Sequence, residues 1–104
     1  MSRYVFDGPI KGHNAEEITA GATDSTLTSA TYGDMKIAII SVTDANACLI
    51  TVQNDAGDTP ADGTKGIYLD RSMGPYTLHC DLSKVLIRRA SGSDCVIHVN
   101  YIDA

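Results

Sequence analysis

The residues best suited to hold a transition metal are three histidines. His79 and His98 lie in segments with strand-like alternation and would be neighbours if those strands paired, whereas His13 lies near the N-terminus. His79 and His98 together with Asp81 would supply two imidazoles and a carboxylate, a known ligand set for metals. The alternative is that His79 and His98 are simply polar residues on a sheet face that contacts water, with no metal bound. We prefer that interpretation and expect no metal ligand.

A second group of potential ligands lies in the acidic loop 55–63. Asp55, Asp58 and Asp62 could offer carboxylate oxygens, which are the ligands that calcium prefers. Their spacing does not match an EF-hand loop, and Asp, Gly, Thr and Pro are also the ordinary residues of turns. The sequence leaves open whether this loop binds a cation, and it predicts no cofactor.

The sequence offers no arrangement that favours catalysis. It has no GxSxG motif and no glycine-rich phosphate loop before a helix, and its acidic residues cluster in loops. Cys48, Cys80 and Cys95 each lie in an apolar alternating segment, which favours buried thiols that pack as small apolar groups. A Cys80–Cys95 bridge between neighbouring strands is the alternative. We expect a protein that is not an enzyme.

The charge balance argues against nucleic acid as a partner. Eight Lys and Arg face thirteen Asp and Glu, the net charge is -5, and Arg88-Arg89 is the longest basic run. Binding to phosphates requires clustered cations. The apolar runs are also too short for a membrane-spanning helix or a signal peptide. We therefore expect synthesis in a cytoplasm and no membrane partner.

Short strands are predicted along most of the chain, because apolar and polar residues alternate and no stretch shows a sustained helical period. Turn residues separate these segments. The segment 35–43 is the strongest and is apolar on both faces. The predicted strands are 16–20, 25–31, 35–43, 47–54, 66–70, 76–82, 84–90 and 95–102.

The last two strands give the clearest prediction of local structure. Segments 84–90 and 95–102 flank Ser91-Gly92-Ser93-Asp94, which predicts a β-hairpin. Seven or eight short strands predict an all-β fold: a single antiparallel β-sandwich, jelly-roll-like, with an extended N-terminal arm. The pattern does not separate a sandwich from a barrel.

The N-terminal segment differs from the rest of the chain. Glycine, proline and asparagine break regular structure there, yet the segment carries more apolar surface than a free tail should expose. Its apolar residues are Tyr4, Val5, Phe6 and Ile10. We expect an extended arm over 1–14, docked on its own domain or on a neighbouring subunit, and a β-sandwich domain over 15–104.

Apolar residues on a second strand face point to self-association. A sandwich of this size needs one apolar face per sheet. The additional apolar residues are Ala38, Ile40, Val42, Leu86, Val96 and Ile102. A large exposed apolar patch is unusual on a lone domain, so we expect a homo-oligomer (a dimer or trimer) or a permanent partner. The predicted partner contacts are Tyr4, Val5, Phe6, Ile10, Arg88, Val96 and Ile102.

The C-terminal segment 85–101 resembles the ending of many small virion proteins of tailed bacteriophages. Those proteins often close with "IR", small residues, Gly-Ser-Asp and an alternating strand that ends in V-x-Y. The stretch 59–69 is similar to their "TP…G…L" connection. The resemblance covers about half of the chain and contains no ligand or catalytic motif, so no functional residue carries over. It implies a β-sandwich structural protein of a phage particle, most like a capsid decoration (cement) protein.

The expected function follows from that resemblance. The chain would bind the outer capsid surface of a virion, with the major capsid protein as its partner, and stabilise contacts between capsomers. It would be present in the host cytoplasm during assembly. A head–tail connector, tail or head-fibre component is the alternative, and a small carbohydrate-binding β-sandwich module is a weaker one.

Overall fold

The computed structural model describes residues 12–60 and 65–103. These residues form eight strands, one four-residue helix (α1, Ser29–Tyr32) and short 3-10 turns at Arg71–Met73 and Leu82–Lys84. The strands are β1 (Gly12–Ala20), β2 (Ser25–Thr26), β3 (Ile37–Val42), β4 (Cys48–Val52), β5 (Ile67–Leu69), β6 (Tyr76–His79), β7 (Val85–Arg89) and β8 (Cys95–Asp103).

The strands form two four-stranded antiparallel sheets that pack as a sandwich. Sheet A has the order β1-β8-β3-β6 and sheet B the order β2-β7-β4-β5. Strand β1 pairs with β8, β2 with β7, β3 with β6 and β4 with β5. The chain is thus arranged like one long hairpin folded over on itself. This connectivity is that of a jelly roll. The predicted all-β antiparallel sandwich is therefore confirmed.

The core lies between the two sheets and is aliphatic, as a chain with no Trp and one Phe requires. Alternate residues of each strand point inward, since side chains alternate between the faces of a strand. Tyr101 is the largest fully buried side chain, and its hydroxyl donates a hydrogen bond of 2.6 Å to Glu16 Oε2. The buried core residues are Ala20, Leu27, Ala38, Ile40, Val42, Cys48, Ile50, Leu69, Leu78, Leu82, Val85, Ile87, Cys95, Ile97, Val99 and Tyr101.

The assignment of faces was wrong for β3. Ala38, Ile40 and Val42 were predicted on an outer face, but they point into the core, where their exposed fractions are 0%, 0% and 8%. The register of β3 with β8 decides this. Ala38, Ile40 and Val42 lie opposite Tyr101, Val99 and Ile97, which are the β8 residues that point into the core. The outer face of β3 carries Ile37 and Ile39 instead.

The predicted C-terminal hairpin was also wrong. β7 pairs with β2 and β4 in sheet B, whereas β8 pairs with β1 and β3 in sheet A. The connection 90–94 therefore crosses from one sheet to the other. Backbone bonds fix the crossing on its sheet B side: the N–H of Ala90 donates to the carbonyl of Ala47, and that of Arg89 to the carbonyl of Gly21.

The predicted strand 25–31 is only two residues long in the structure. β2 ends at Thr26, and the chain then turns into α1. Glu16 of β1 holds this turn, since its carboxylate accepts a 2.6 Å bond from Thr28 Oγ1 and a 3.2 Å bond from the Thr28 N–H. A side chain that binds a backbone N–H in this way competes with strand pairing.

Residues 12–14 lie in β1 rather than before it. They were assigned to the arm, but they pair with the end of β8, from Gly12 opposite Asp103 to Asn14 opposite Tyr101. The remainder of the predicted arm, residues 1–11, lies outside the described residues.

Candidate interaction surface

The three predicted contact residues that the structure describes do not all lie on one surface. Arg88 lies on the outer face of sheet B, opposite Leu49. Val96 and Ile102 lie on the outer face of sheet A, six residues apart along β8. The remaining predicted contacts, Tyr4, Val5, Phe6 and Ile10, are outside the described residues.

Sheet B carries a largely apolar area on its outer face. We call it the outer patch and define it by the apolar residues Leu49, Tyr68 and Leu86 together with Arg88. Strand register places Tyr68, Leu49 and Arg88 in one row across β5, β4 and β7. Leu86 lies in the next row, opposite Thr51. Leu49 and Leu86 are half-buried, whereas Tyr68 is 51% exposed. The outer patch thus combines a rigid backbone with an accessible aromatic ring.

An ion pair marks one side of the outer patch. Arg88 Nη1 lies 3.9 Å from Asp24 Oδ1, and both side chains are about three-quarters buried. A pair of this length contributes little to stability, roughly 0–1 kcal/mol. The ion pair therefore does little to fix the Arg88 guanidinium in place.

The loop after β4 closes the other side of the outer patch. Thr51 Oγ1 donates to the carbonyl of Asp58 at 3.1 Å, which holds the loop against sheet B. The Asp58 carboxylate accepts the N–H groups of Asp55 and Asn54, and these bonds hold the pKa of Asp58 below its ordinary value. Lys65 Nζ donates to the carbonyl of Gly57 at 3.1 Å. The loop is thus anchored at several points.

A shallow pocket of about 420 Å³ lies between this loop and the edge of sheet B. Gly66 forms part of its wall with a φ of +124°, and a Cβ atom there would lie 3.2 Å from Leu49 Cβ and 3.3 Å from the carbonyl of Ile50. Only glycine therefore lets β5 begin this close to β4. The pocket is lined partly by Val52, which is 38% exposed, and Tyr68 does not line it.

The acidic loop does not gather carboxylates in the part of the chain that the structure describes. The Asp58 carboxylate is engaged with two backbone N–H groups, and Asp62 lies outside the described residues. Across residues 12–60 and 65–103, no three His, Cys, Asp or Glu side chains are grouped so that they could hold a metal ion. The described residues thus add no support for a cation in this loop.

The suggested pairing of His79 and His98 was wrong. β3 lies between their strands: His79 is opposite Ile37, and His98 is opposite Ser41 four residues further on. His98 Nε2 instead lies 3.1 Å from the Glu17 carboxylate on β1. These residues do not come together as metal ligands.

The outer face of sheet A is different in character. Ile37 and Ile102 are cross-strand neighbours there and are only 5% and 7% exposed, although neither belongs to the core between the sheets. Beside them, His13 Nε2 lies 3.0 Å from Asn100 Oδ1. Ile102, a predicted contact, is therefore already buried within the chain.

Leu49 and Tyr68 were not singled out from the sequence as members of the outer patch. In the sequence, Leu49 shares its strand face with Thr51 and Gln53, whose polar side chains indicate a water-facing position. Tyr68 lies in a strand of only three residues, too short to show alternation. A large aromatic residue within a short edge strand was the available signal, because tyrosine is enriched at contact surfaces.

Comparisons with known proteins identify no relative. No protein-family model, no curated protein and no solved structure matches this chain. Among the described residues, no helix has both the length and the apolar character needed to cross a membrane.

Proposed function

We propose that this chain is a non-enzymatic structural protein of a phage particle, which binds the outer capsid surface and stabilises contacts between capsomers. The observation that carries the proposal is the outer patch, an apolar area with an exposed aromatic ring and an arginine on a rigid sheet. The resemblance of segment 85–101 to small phage virion proteins supplies the class of partner, the major capsid protein.

The composition of the outer patch suits protein contact better than chemistry. Tyrosine and arginine are enriched where proteins meet, and a few such side chains carry most of the binding energy. Tyr68 presents an exposed ring, and Arg88 lies one strand beyond Leu49 in the same row. A specific interface buries roughly 800 Å² on each partner, so the outer patch would contact the shell together with the surface around it.

Two further parts of the proposal concern assembly. The apolar residues of the arm would contact a neighbouring subunit or the shell, and the chain would form a dimer or trimer. Several modest contacts made at once bind far more tightly than any one of them. Light scattering of the purified chain tests self-association, and a monomer at all concentrations would contradict that part.

The proposal is tested by binding to shells assembled from the major capsid protein of the same genome. The variants Tyr68→Ser and Arg88→Glu change the outer patch, and we expect each to weaken binding at least tenfold. Thr19→Glu is the matched control, because Thr19 is exposed on the outer face of sheet A, and it should bind like the unchanged chain. Equal binding by all four chains would contradict a role for the outer patch.

A carbohydrate-binding module is the second candidate, and Tyr68 favours it. Jelly rolls occur in lectin domains, and an exposed aromatic ring such as that of Tyr68 can stack on a sugar ring. A glycan array decides between the candidates. Binding to a defined glycan that Tyr68→Ser abolishes would support the module and displace the capsid proposal.

A further inference from the structure

Two cysteines from opposite sheets face each other in the core. Cys48 is the first residue of β4 in sheet B, and Cys95 is the first residue of β8 in sheet A. Both are fully buried, and both belong to the same core cluster. Their side chains interact directly, and Cys95 Sγ also lies 3.2 Å from the carbonyl oxygen of Asn46, two residues before Cys48.

The sheets are tied together at this end of the sandwich. The connection 43–47 leaves β3 and enters β4, so it passes from sheet A to sheet B beside the two thiols. Asp44 Oδ2 accepts the N–H of Val96 at 2.9 Å, next to Cys95. The Cys95 partner in β1 is Ala20, whose small side chain leaves room for the sulfur atom.

We propose that Cys48 and Cys95 form a dithiol site that closes into a disulfide between the two sheets. This bond would link β4 to β8 through the core and close the chain from residue 48 to residue 95. The inference does not rest on the proposed function, since it depends only on the positions of the two thiols. A disulfide needs sulfur atoms about 2 Å apart, so the two interacting thiols must move closer together to form the bond.

The reaction is a thiol–disulfide exchange with a small disulfide such as oxidised glutathione as the oxidant. One cysteine thiolate attacks the oxidant and forms a mixed disulfide, which releases one glutathione thiolate. The other cysteine thiolate attacks the protein sulfur of that mixed disulfide and releases the second. The two thiols lose two electrons and two protons, and one oxidised glutathione becomes two reduced glutathiones.

Burial controls the rate of this step. Desolvation raises the pKa of Cys48 to about 12 and that of Cys95 to about 11, so the reactive thiolate is scarce in the folded chain at neutral pH. Cys80 is partly exposed and is the thiol that reagents reach first. Closure of the bridge therefore requires slow opening of this end of the sandwich.

The bridge proposed from the sequence, Cys80–Cys95, does not fit the fold. The N–H of Cys80 donates to the carbonyl of Lys36, just before β3 begins, whereas Cys95 lies beyond the other end of β3. About 20 Å of strand separates them. Cys48 is the partner that the structure gives to Cys95.

The test uses the full chain with Cys80→Ala, which removes the accessible thiol and leaves both buried thiols in place. The protein is incubated with oxidised glutathione at mildly alkaline pH and then digested with trypsin. Cleavage after Lys36, Lys65 and Arg89 places the two remaining cysteines in separate peptides, 37–65 and 90–104. We expect these peptides to be joined by a bond that dithiothreitol breaks, with an intact mass lower by two hydrogens.

The second readout is thermal stability. Closure of a loop this long should raise Tm by about 10 °C relative to the reduced chain, and dithiothreitol should reverse the rise. The Cys48→Ala, Cys80→Ala double variant is the matched control and should show no rise. Glutathione adducts on separate peptides, or joined peptides without a rise in Tm, would overturn the proposal.

Discussion

At the scale of single residues, Glu16 links three parts of the fold. Its carboxylate accepts the hydroxyls of Tyr101 and Thr28 and the N–H of Thr28, so β1, β8 and the start of α1 meet at one side chain. Burial and the neighbouring Glu16 raise the pKa of Tyr101 well above its ordinary range. The phenol therefore keeps its proton and donates it to Glu16 at neutral pH.

The variant Tyr101→Phe should lower the free energy of unfolding by about 1–2 kcal/mol, since it removes a hydrogen bond to a charged group and keeps the ring. Urea denaturation measures the change. Tyr68→Phe is the matched control, because it removes a hydroxyl from an exposed ring, and it should leave stability unchanged. A Tyr101→Phe variant as stable as the unchanged chain would show that this contact contributes nothing.

The buried thiols predict a loss of stability at alkaline pH. The folded-state pKa values of Cys48 and Cys95, about 12 and about 11, lie above the ordinary value of 9.0, so the folded chain holds its protons more tightly than the unfolded chain. The resulting stability is complete below pH 9 and falls as pH rises from 9 towards 11. Urea denaturation of the reduced chain across this range should show the decline, and Cys48→Ala should reduce its slope.

At the scale of elements, the alternation of β8 was predictable and that of β3 was not. β8 has one apolar face and one mixed face that includes His98 and Asn100, so its inward face could be chosen from the sequence. β3 is apolar on both faces, and composition alone does not choose between Ile39 and Ile40. Only the register with β8 decides, and register is a property of the assembled sheet.

The connections between strands were the less predictable elements. Small and polar residues at 91–94 signal a turn. A connection of this composition can either join neighbouring strands of one sheet or cross from one sheet to the other. The crossing depends on distant partners: Asn46 Nδ2 donates to the carbonyl of Asp94, and the N–H of Arg89 donates to the carbonyl of Gly21. Contacts between residues so far apart in the chain leave no local pattern.

Asp44 offers a direct test of these inter-sheet connections. Its carboxylate accepts the N–H of Asn46 and the N–H of Val96, each at 2.9 Å, and so joins the connection after β3 to the start of β8. Asp44→Ala should lower the free energy of unfolding by about 2 kcal/mol. Asp34→Ala, at an exposed position, is the control and should have little effect. Equal stability of the two variants would contradict the role given to Asp44.

At the scale of the whole molecule, the outer patch was only partly predictable. Leu86 was placed on an outer face from the sequence, and Arg88 was predicted as a partner contact. Tyr68 and Leu49 join them only through the pairing of β4 with β5 and β7, which the sequence does not show. An outer patch built across three strands is visible only when the sheet is assembled.

The central claim is that many copies of this chain cover a capsid surface. Co-sedimentation with expanded, DNA-free shells of the major capsid protein from the same genome tests it, with bound copies counted at saturation. We predict on the order of hundreds of copies per shell, because a repeated lattice offers the same site many times. About a dozen copies or fewer would indicate a connector, tail or head-fibre component, and no binding at all would contradict the capsid proposal altogether.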